Sequence, residues 1–138
     1  MYPEMMVAPM RADLTDVGFS ELRTPEEVVN QLENSKGTSL LVINSICGCA
    51  AGMARPAVKM ALTNASKQPD HLLTVFAGVD MEATSKAREY TLPYPPSSPS
   101  IALFKDGDLI HFIERHHIEG RPASVIAEHL IDVFDEYC

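Results

Sequence analysis

Two cysteines separated by one glycine are the residues of this sequence best suited to chemistry. Cys47 and Cys49 directly follow a short apolar run typical of a buried strand, and the segment after them predicts a helix. The first turn of a helix offers free N–H groups and a partial positive charge. Both stabilise a thiolate, which is the reactive form of cysteine. Gly48 lets the backbone bend and leaves one flank of the sulfur open. The motif predicts a redox-active thiol pair.

The same cysteines have two other interpretations. Free cysteine is often buried as a small apolar side chain, so the pair could belong to the core. A metal site would need further cysteine or histidine ligands, and the five histidines show no metal-binding spacing near the motif. We therefore predict neither a bound metal nor a bound cofactor.

A second candidate for the site is Ser98-Pro99, which directly precedes a predicted strand. An X–Pro bond in a tight connection is where cis peptide bonds occur. The alternative is an ordinary trans proline that ends a rigid loop. A cis bond at this point would support a site here.

Four further features could bear on function. Arg55 could add positive potential near the thiolate or be a solvated surface charge, and Pro56 should kink its helix. The stretch Glu114–Glu119 invites a metal interpretation. In an extended chain, however, its two histidines would point to opposite faces, which favours a polar connection instead. Terminal Cys138 is expected to be an exposed spare thiol rather than a resolving one.

Strands and helices alternate along the chain in an order that can position this site. Apolar runs predict strands at 39–44, 72–77, 100–105 and 109–113, the last two joined by the turn signal Asp106-Gly107. Helices are expected near 4–17, where the apolar stripe is Met6, Met10, Leu14 and Val17, and at 24–32, 50–66, 80–90 and from 122 onward. Thr24 would cap the second of these helices and Asp80 the fourth, and Val125 would belong to the apolar stripe of the last.

This order predicts an α/β protein with a thioredoxin-like arrangement. A parallel β-α-β unit is extended by an antiparallel β-hairpin into a central mixed sheet, with helices on both faces and an extra N-terminal helix. We expect a single domain over residues 1–138, with a helical N-terminal extension over about 1–36 and the core over 37–138.

Composition excludes several classes of function. The net charge of −8 repels nucleic-acid backbones, and no stretch approaches the length of apolar chain that a membrane span requires. Three cysteines do not form a disulfide framework, and no signal peptide is recognisable. We expect a cytoplasmic protein that binds neither nucleic acid nor membrane.

Several stretches in the right order resemble the bacilliredoxins, thioredoxin-fold bacterial proteins with a Cys-Gly-Cys motif, some of which have been described as disulfide isomerases. The resemblance runs from about Met10 to the C-terminus. It departs from the family where the usual Gly-Gln-Asp reads Gly78-Val79-Asp80. The stretches are VINSICGCAAGMARP at 42–56, VFAG at 75–78, EAT at 82–84, PSSPS at 96–100 and IEG at 118–120.

The resemblance implies a thiol–disulfide oxidoreductase that acts on S-thiolated client proteins. Cys47 would attack a mixed disulfide and take up a low-molecular-weight thiol, bacillithiol in that family, as co-substrate. Cys49 would resolve the intermediate or modulate Cys47, and Pro99 would be a cis-proline beside them. The alternatives are a protein disulfide isomerase and, from another class, a redox sensor or adaptor without turnover.

Overall fold

A central sheet lies between two layers of helices in the computed structural model, which describes residues 2–33 and 35–138. A π-helical turn, named π1, precedes the third α-helix. In chain order the elements are α1 Glu4–Thr15, β1 Ser20–Glu21, α2 Pro25–Leu32, β2 Thr38–Asn44, π1 Ala50–Ala54, α3 Arg55–Asn64, β3 His71–Phe76, α4 Met81–Glu89, β4 Ser100–Lys105, β5 Asp108–Ile113, α5 Arg115–Ile118 and α6 Ala123–Tyr137.

The sheet has five strands in the order β1-β3-β2-β4-β5. β2 and β3 are parallel and are connected through π1 and α3, whereas β4 runs antiparallel to both β2 and β5. This confirms the predicted mixed sheet. The two-residue β1 pairs in parallel with β3 and was not predicted, because two residues are too few to show any periodicity.

Strand β2 is buried along its whole length and supplies both faces of the core. Leu40 and Val42 pack with residues of α3 and α6 on one face. Leu41 and Ile43 pack with residues of α2 and α4 on the other. Side chains alternate between the faces of a strand, which is why an unbroken apolar run is needed here. Helices on both faces are confirmed.

The N-terminal segment contributes buried residues to the apolar clusters on both faces of the sheet. Leu14 and Phe19 belong to the cluster beneath α3 and α6, and Leu22, Val28 and Leu32 belong to the cluster beneath α2 and α4. The single domain over residues 1–138 and its division near residue 36 both stay predictions.

Two local signals are confirmed. The Thr24 hydroxyl accepts a hydrogen bond from the Glu27 N–H at 3.2 Å and caps α2. Asp106 and Gly107 both have positive φ, at 51° and 86°, as the turn between β4 and β5 requires.

The buried face of helix α1 is not the apolar stripe that was predicted, because Arg11 forms part of it. Val7, Arg11 and Leu14 are buried, whereas Met6 and Val17 are exposed. Val17 lies beyond the end of the helix at Thr15. The prediction from spacing alone was therefore wrong for two of its four apolar positions.

Carboxylates from three parts of the chain surround Arg11. Its guanidinium donates to Glu21 at 2.8 Å, to Asp80 at 2.7 Å and to Glu4 at 3.1 Å. Burial lowers the pKa of Arg11, but the hydrogen bonds to Asp80 and Glu21 outweigh burial, so the net pKa is raised. Asp80 was expected to cap α4; instead its carboxylate binds Arg11.

Two expectations about later helices also change. Val125 is exposed rather than part of the apolar stripe of α6. The irregularity expected at Pro56 takes the form of the π1 turn, which ends where α3 begins, because proline has no N–H to continue the α-helical ladder. Within the described residues, no helix combines the length and the apolar character needed to cross a membrane.

Candidate active site

The thiol pair lies where β2 ends and the next helix begins. β2 ends at Asn44, and the carbonyl of Cys47 accepts hydrogen bonds from the N–H groups of Ala50 and Ala51 at 3.1 and 3.2 Å, which form the first helical turn. Cys47 and Cys49 are both free thiols and half-buried. The sulfur of Cys47 is therefore at the positive end of a helix, as its position in the sequence predicts.

Ser45 holds Cys47 through two hydrogen bonds. Its hydroxyl donates to the Cys47 sulfur at 3.1 Å and accepts from the Cys47 N–H at 3.3 Å. Ser45 is itself buried, and its N–H donates to the Asn44 side chain at 2.9 Å. The hydroxyl is thus oriented to stabilise negative charge on this sulfur. Sequence analysis missed Ser45, although its place two residues before Cys47 was visible.

The surroundings shift the two thiols in opposite directions. Burial raises the pKa of Cys47, but hydrogen bonds from Ser45 and from the N–H groups of Ala50 and Cys49, together with the charge of Arg115, lower it overall. Burial and the neighbouring charge of Cys47 raise the pKa of Cys49. Near neutral pH, Cys47 is the thiol that ionises first.

Arg115 connects both thiols to the loop before β4. Its Nη2 lies 3.8 Å from the sulfur of Cys49, and its Nη1 donates to the carbonyl of Ser98 at 3.1 Å. The Arg115 backbone N–H also donates to the Ser97 hydroxyl at 3.4 Å. The guanidinium lowers the pKa of Cys47 and opposes the rise in the pKa of Cys49.

Sequence analysis treated Arg115 as part of a polar connection, yet topology held a signal. β5 runs in the same direction as β2, because each is antiparallel to β4. The residue that follows β5 must then lie at the same sheet edge as the residues that follow β2. Arg115 is the second residue after Ile113, the last residue of β5.

The Ser98–Pro99 peptide bond is cis, which is one of the two conformations, cis and trans, that the sequence left open. Pro99 is buried at the start of β4, while Ser98 is half-buried and presents its carbonyl to Arg115. A second cis bond, Leu92–Pro93, was not predicted. The structure therefore connects the Ser98 carbonyl and the Cys49 sulfur through one guanidinium.

Gly48 is exposed between the two cysteines. Apart from its two chain neighbours and the backbone of its own helical turn, no heavy atom of residues 2–33 and 35–138 would lie within 4 Å of a Cβ built on it. Packing inside the chain therefore does not require glycine at this position. The open flank expected from the sequence is present, and it leaves room for an approaching disulfide.

Arg55 is neither a surface charge nor a direct neighbour of the sulfur. It is buried, donating to the Asn44 side chain and the Ser45 carbonyl, both at 2.9 Å, and to Asp13 at 3.0 Å. Asn44 in turn donates to the carbonyl of Met10 at 3.2 Å. These bonds attach the end of β2 to α1 and α3 and so position Ser45.

The stretch from Glu114 is helical, which corrects the extended chain assumed for its histidines. Glu114, His116 and His117 bring ligand atoms within 4.8 Å of one another. Glu114 and His117, however, form the capping box of α5, with the Glu114 N–H donating to His117 Nδ1 at 3.3 Å. Their proximity has a structural explanation.

Comparison with known proteins gives a consistent result along the whole chain. A family model described as "Disulphide isomerase" matches residues 2–138. A bacilliredoxin of Cytophaga hutchinsonii is 65% identical over 136 residues, which cover 99% of each chain. The bacilliredoxin BH1716 of Halalkalibacterium halodurans is 54% identical over 137 residues, covering 99% of this chain and 94% of the relative.

Solved structures similar to this one have the thioredoxin fold. A putative oxidoreductase with a thioredoxin fold aligns with a TM-score of 0.62 at 13% identity, covering 85% of this chain and 96% of its own. Reduced Schistosoma mansoni thioredoxin aligns with a TM-score of 0.58 at 16% identity, covering 86% and 96%. The predicted thioredoxin-like fold is confirmed.

Proposed function

Because this chain belongs to the bacilliredoxin family of thiol–disulfide oxidoreductases, we propose that it reduces mixed disulfides between client proteins and a low-molecular-weight thiol. Cys47 is the nucleophile. The observation that carries the proposal is the unequal environment of the two thiols, since Ser45 donates a hydrogen bond to the sulfur of Cys47 and the pKa of Cys49 is raised.

The first step is an exchange at sulfur. The Cys47 thiolate attacks the small-thiol sulfur of the mixed disulfide, a new S–S bond joins Cys47 to the small thiol, and the bond to the client breaks. The client cysteine leaves as a thiolate and takes a proton from water. The sum is one disulfide broken and one formed, so no outside oxidant or reductant is needed in this step.

The adduct on Cys47 can be removed in two ways. Cys49, once deprotonated, can attack the Cys47 sulfur, which releases the small thiol and leaves a Cys47–Cys49 disulfide. Otherwise a second small thiol attacks the outer sulfur of the adduct, which forms the disulfide of the small thiol and releases the Cys47 thiolate, and Cys49 acts only on the pKa of Cys47. Arg115, 3.8 Å from the sulfur of Cys49, would stabilise the Cys49 thiolate that the first route requires.

The co-substrate and the location follow from the family and from the cysteines. The names of the relatives support bacillithiol as the small thiol. Exposed or half-buried free thiols at all three cysteines suit a reducing compartment, and we propose the cytoplasm. S-thiolated proteins are the proposed partners. The exposed Gly48 supports an approach by a protein-sized client.

The test uses a client protein carrying bacillithiol on one cysteine and follows release of the free client thiol by mass spectrometry. We expect Cys47→Ala to abolish release and Cys49→Ala to permit the first step. A lasting adduct on Cys47 in Cys49→Ala would identify Cys49 as the resolving residue. Ser85→Ala, on the exposed surface of α4, is the matched control.

Other outcomes would assign a different function. Full activity of Cys47→Ala would refute the proposal. The family model's description supports an isomerase, which would refold a protein with scrambled disulfides in the absence of any small thiol, again through Cys47. If neither cysteine variant changed any exchange rate, a redox sensor or adaptor without turnover would be favoured.

A further inference from the structure

A cleft of about 420 Å³ lies between β5, α5 and the first half of α6. Three histidines line it, His111 from β5, His117 from α5 and His129 from α6, and Ile113 and Ile126 supply apolar wall. The thiol chemistry described above uses none of these imidazoles. Three imidazoles around one small cleft are an unusual concentration in a chain that has five histidines in all.

Within this cleft, two imidazoles present nitrogen to nitrogen. His111 Nε2 lies 2.9 Å from His129 Nε2, and the ring planes are 45° apart. His111 comes from the edge strand of the sheet and is half-buried, while His129 comes from the exposed side of α6. Two Nε2 atoms from different elements therefore converge on one point at the mouth of the cleft.

The separation of these nitrogens is that of an N–H···N hydrogen bond, and it is also short enough for one ion to bind both. With metal–nitrogen bonds of about 2.0–2.1 Å, nitrogens 2.9 Å apart subtend an angle of about 90° at the metal. That is the angle between adjacent ligands in the tetragonal sites preferred by Ni²⁺ and Cu²⁺.

The surroundings of the pair carry charges of both signs. Glu136 acts on His111 by its charge, whereas Arg121 also lines the cleft and locally opposes a cation. The chain as a whole carries a net charge of −8, which attracts cations.

A rival cation site is the group of Glu114, His116 and His117. In that group, Glu114 and His117 are already engaged with each other's backbone as the cap of α5, so binding a metal would break the cap. His111 and His129 are hydrogen-bonded to each other, and an ion that replaced their shared proton would break no helix cap. The pair is therefore the better candidate.

We propose that His111 and His129 form a two-histidine site for a divalent late transition-metal ion of the Ni²⁺ or Cu²⁺ type, with water completing the coordination. The bound ion would connect α6 to the edge strand β5. This goes beyond the thiol exchange proposed above and departs from the expectation, drawn from sequence spacing, that the chain holds no metal.

The test is calorimetric titration of the full chain with NiCl₂ after all three cysteines have been alkylated, since thiols also bind metals. We expect one ion per chain and a rise in Tm with Ni²⁺. His111→Gln and His129→Gln should each weaken binding at least about tenfold, because one imidazole of a chelating pair remains. His116→Gln and His71→Gln are the matched controls and should leave binding unchanged.

Three results would overturn the proposal: no Ni²⁺ binding by the alkylated protein, binding that survives both cleft substitutions, or binding lost in His116→Gln. Far-UV circular dichroism without metal shows whether each variant is folded. If a cleft variant unfolds, the test uses the wild-type protein instead: Ni²⁺ is added, and the paramagnetic broadening of the histidine ring protons is measured by NMR. Selective broadening of His111 and His129 supports the site, and broadening of other histidines refutes it.

Discussion

At the level of single residues, the contrast between Cys47 and Cys49 depends on a serine hydroxyl that touches only one of them. Ser45 donates to the Cys47 sulfur at 3.1 Å, while Cys49 has a guanidinium nitrogen at 3.8 Å. The shorter hydrogen bond, added to the first-turn N–H groups, overcomes the burial that raises the pKa of Cys47. Burial and the neighbouring thiolate raise the pKa of Cys49, and the charge of Arg115 does not offset this rise.

We predict that Ser45→Ala raises the pKa of Cys47 and slows its alkylation at pH 7 by roughly threefold to tenfold. A hydrogen bond to a charged group contributes about 1.5–3 kcal/mol, and the greater nucleophilicity of a more basic thiolate offsets part of the loss. Iodoacetamide rates measured against pH by mass spectrometry should show the midpoint for Cys47 move upward. An unchanged profile, matching that of Ser85→Ala, would show that the hydroxyl has no such role.

The direction of the pH dependence follows from the same contacts. Because the pKa of Cys47 is lowered in the folded protein, its thiolate stabilises the fold above the unfolded pKa of cysteine, and that stabilisation is lost as pH falls through the folded pKa. The raised pKa of Cys49 has the opposite effect, since its folded thiol resists ionisation at alkaline pH. Replacing Cys47 should remove the first effect and weaken the second, because the charge of Cys47 is one cause of the raised pKa of Cys49.

At the level of elements, one buried arginine attaches the N-terminal helix to the strand that ends at the site. Arg55 at the start of α3 binds Asp13 of α1 as well as the Asn44 side chain and the Ser45 carbonyl. Without that guanidinium, the Ser45 carbonyl would lose this donor, and the Asn44 Oδ1 would keep the Ser45 N–H but lose one of its two donors. A buried acceptor that loses its donor costs free energy because it has given up water without keeping a partner.

We predict that Arg55→Met lowers the free energy of unfolding by about 2–4 kcal/mol, because the Ser45 carbonyl, the Asn44 Oδ1 and the Asp13 carboxylate each lose a hydrogen-bond donor. Lys59→Met is the matched control, since Lys59 reaches the same Asp13 at 3.8 Å but is half-exposed. The loss of unfolding free energy in Lys59→Met should stay below about 1 kcal/mol. Urea unfolding followed by circular dichroism measures both values. Equal losses in the two variants would show that burial of Arg55 is unimportant.

At the level of the whole molecule, the third cysteine is at the far end of the sheet from the other two. Burial raises the pKa of Cys138, and the hydroxyl of Thr38 acts on it in the opposite direction, so its sulfur lies beside Thr38. Thr38 begins β2, whereas Cys47 follows the end of that strand at Asn44. A strand of this length spans about 20 Å. Cys138 therefore cannot attack an adduct on Cys47 in the same molecule.

We predict that Cys138→Ser leaves the rate of client-thiol release unchanged and removes disulfide-linked dimers that form in air. Cys138 is the exposed thiol of the three, which makes it accessible to a second chain. Non-reducing gel electrophoresis detects the dimers, and the transfer assay measures the rate. A slower rate in Cys138→Ser would mean that the terminal thiol takes part in turnover after all.

The sequence by itself determined the features that depend on neighbouring residues. An unbroken apolar run marked β2, the Asp106-Gly107 pair marked the hairpin, and Thr24 marked the start of α2. The Cys47-Gly48-Cys49 stretch could likewise be assigned to a strand-to-helix junction from the residues on either side of it. Each signal comes from turn chemistry, capping or periodicity within a few positions.

Only the tertiary structure decided which distant groups act on those cysteines. Arg115 reaches Cys49 across 66 positions, and Arg55 reaches the Asn44 side chain across 11. Hydrophobic periodicity reports how buried a residue is, not which partner it meets, so a buried arginine is indistinguishable in sequence from a solvated one. The pairing of His111 with His129 likewise appears only when α6 is packed beside β5. The chain carries its thiols as a local motif, whereas their unequal reactivity comes from packing.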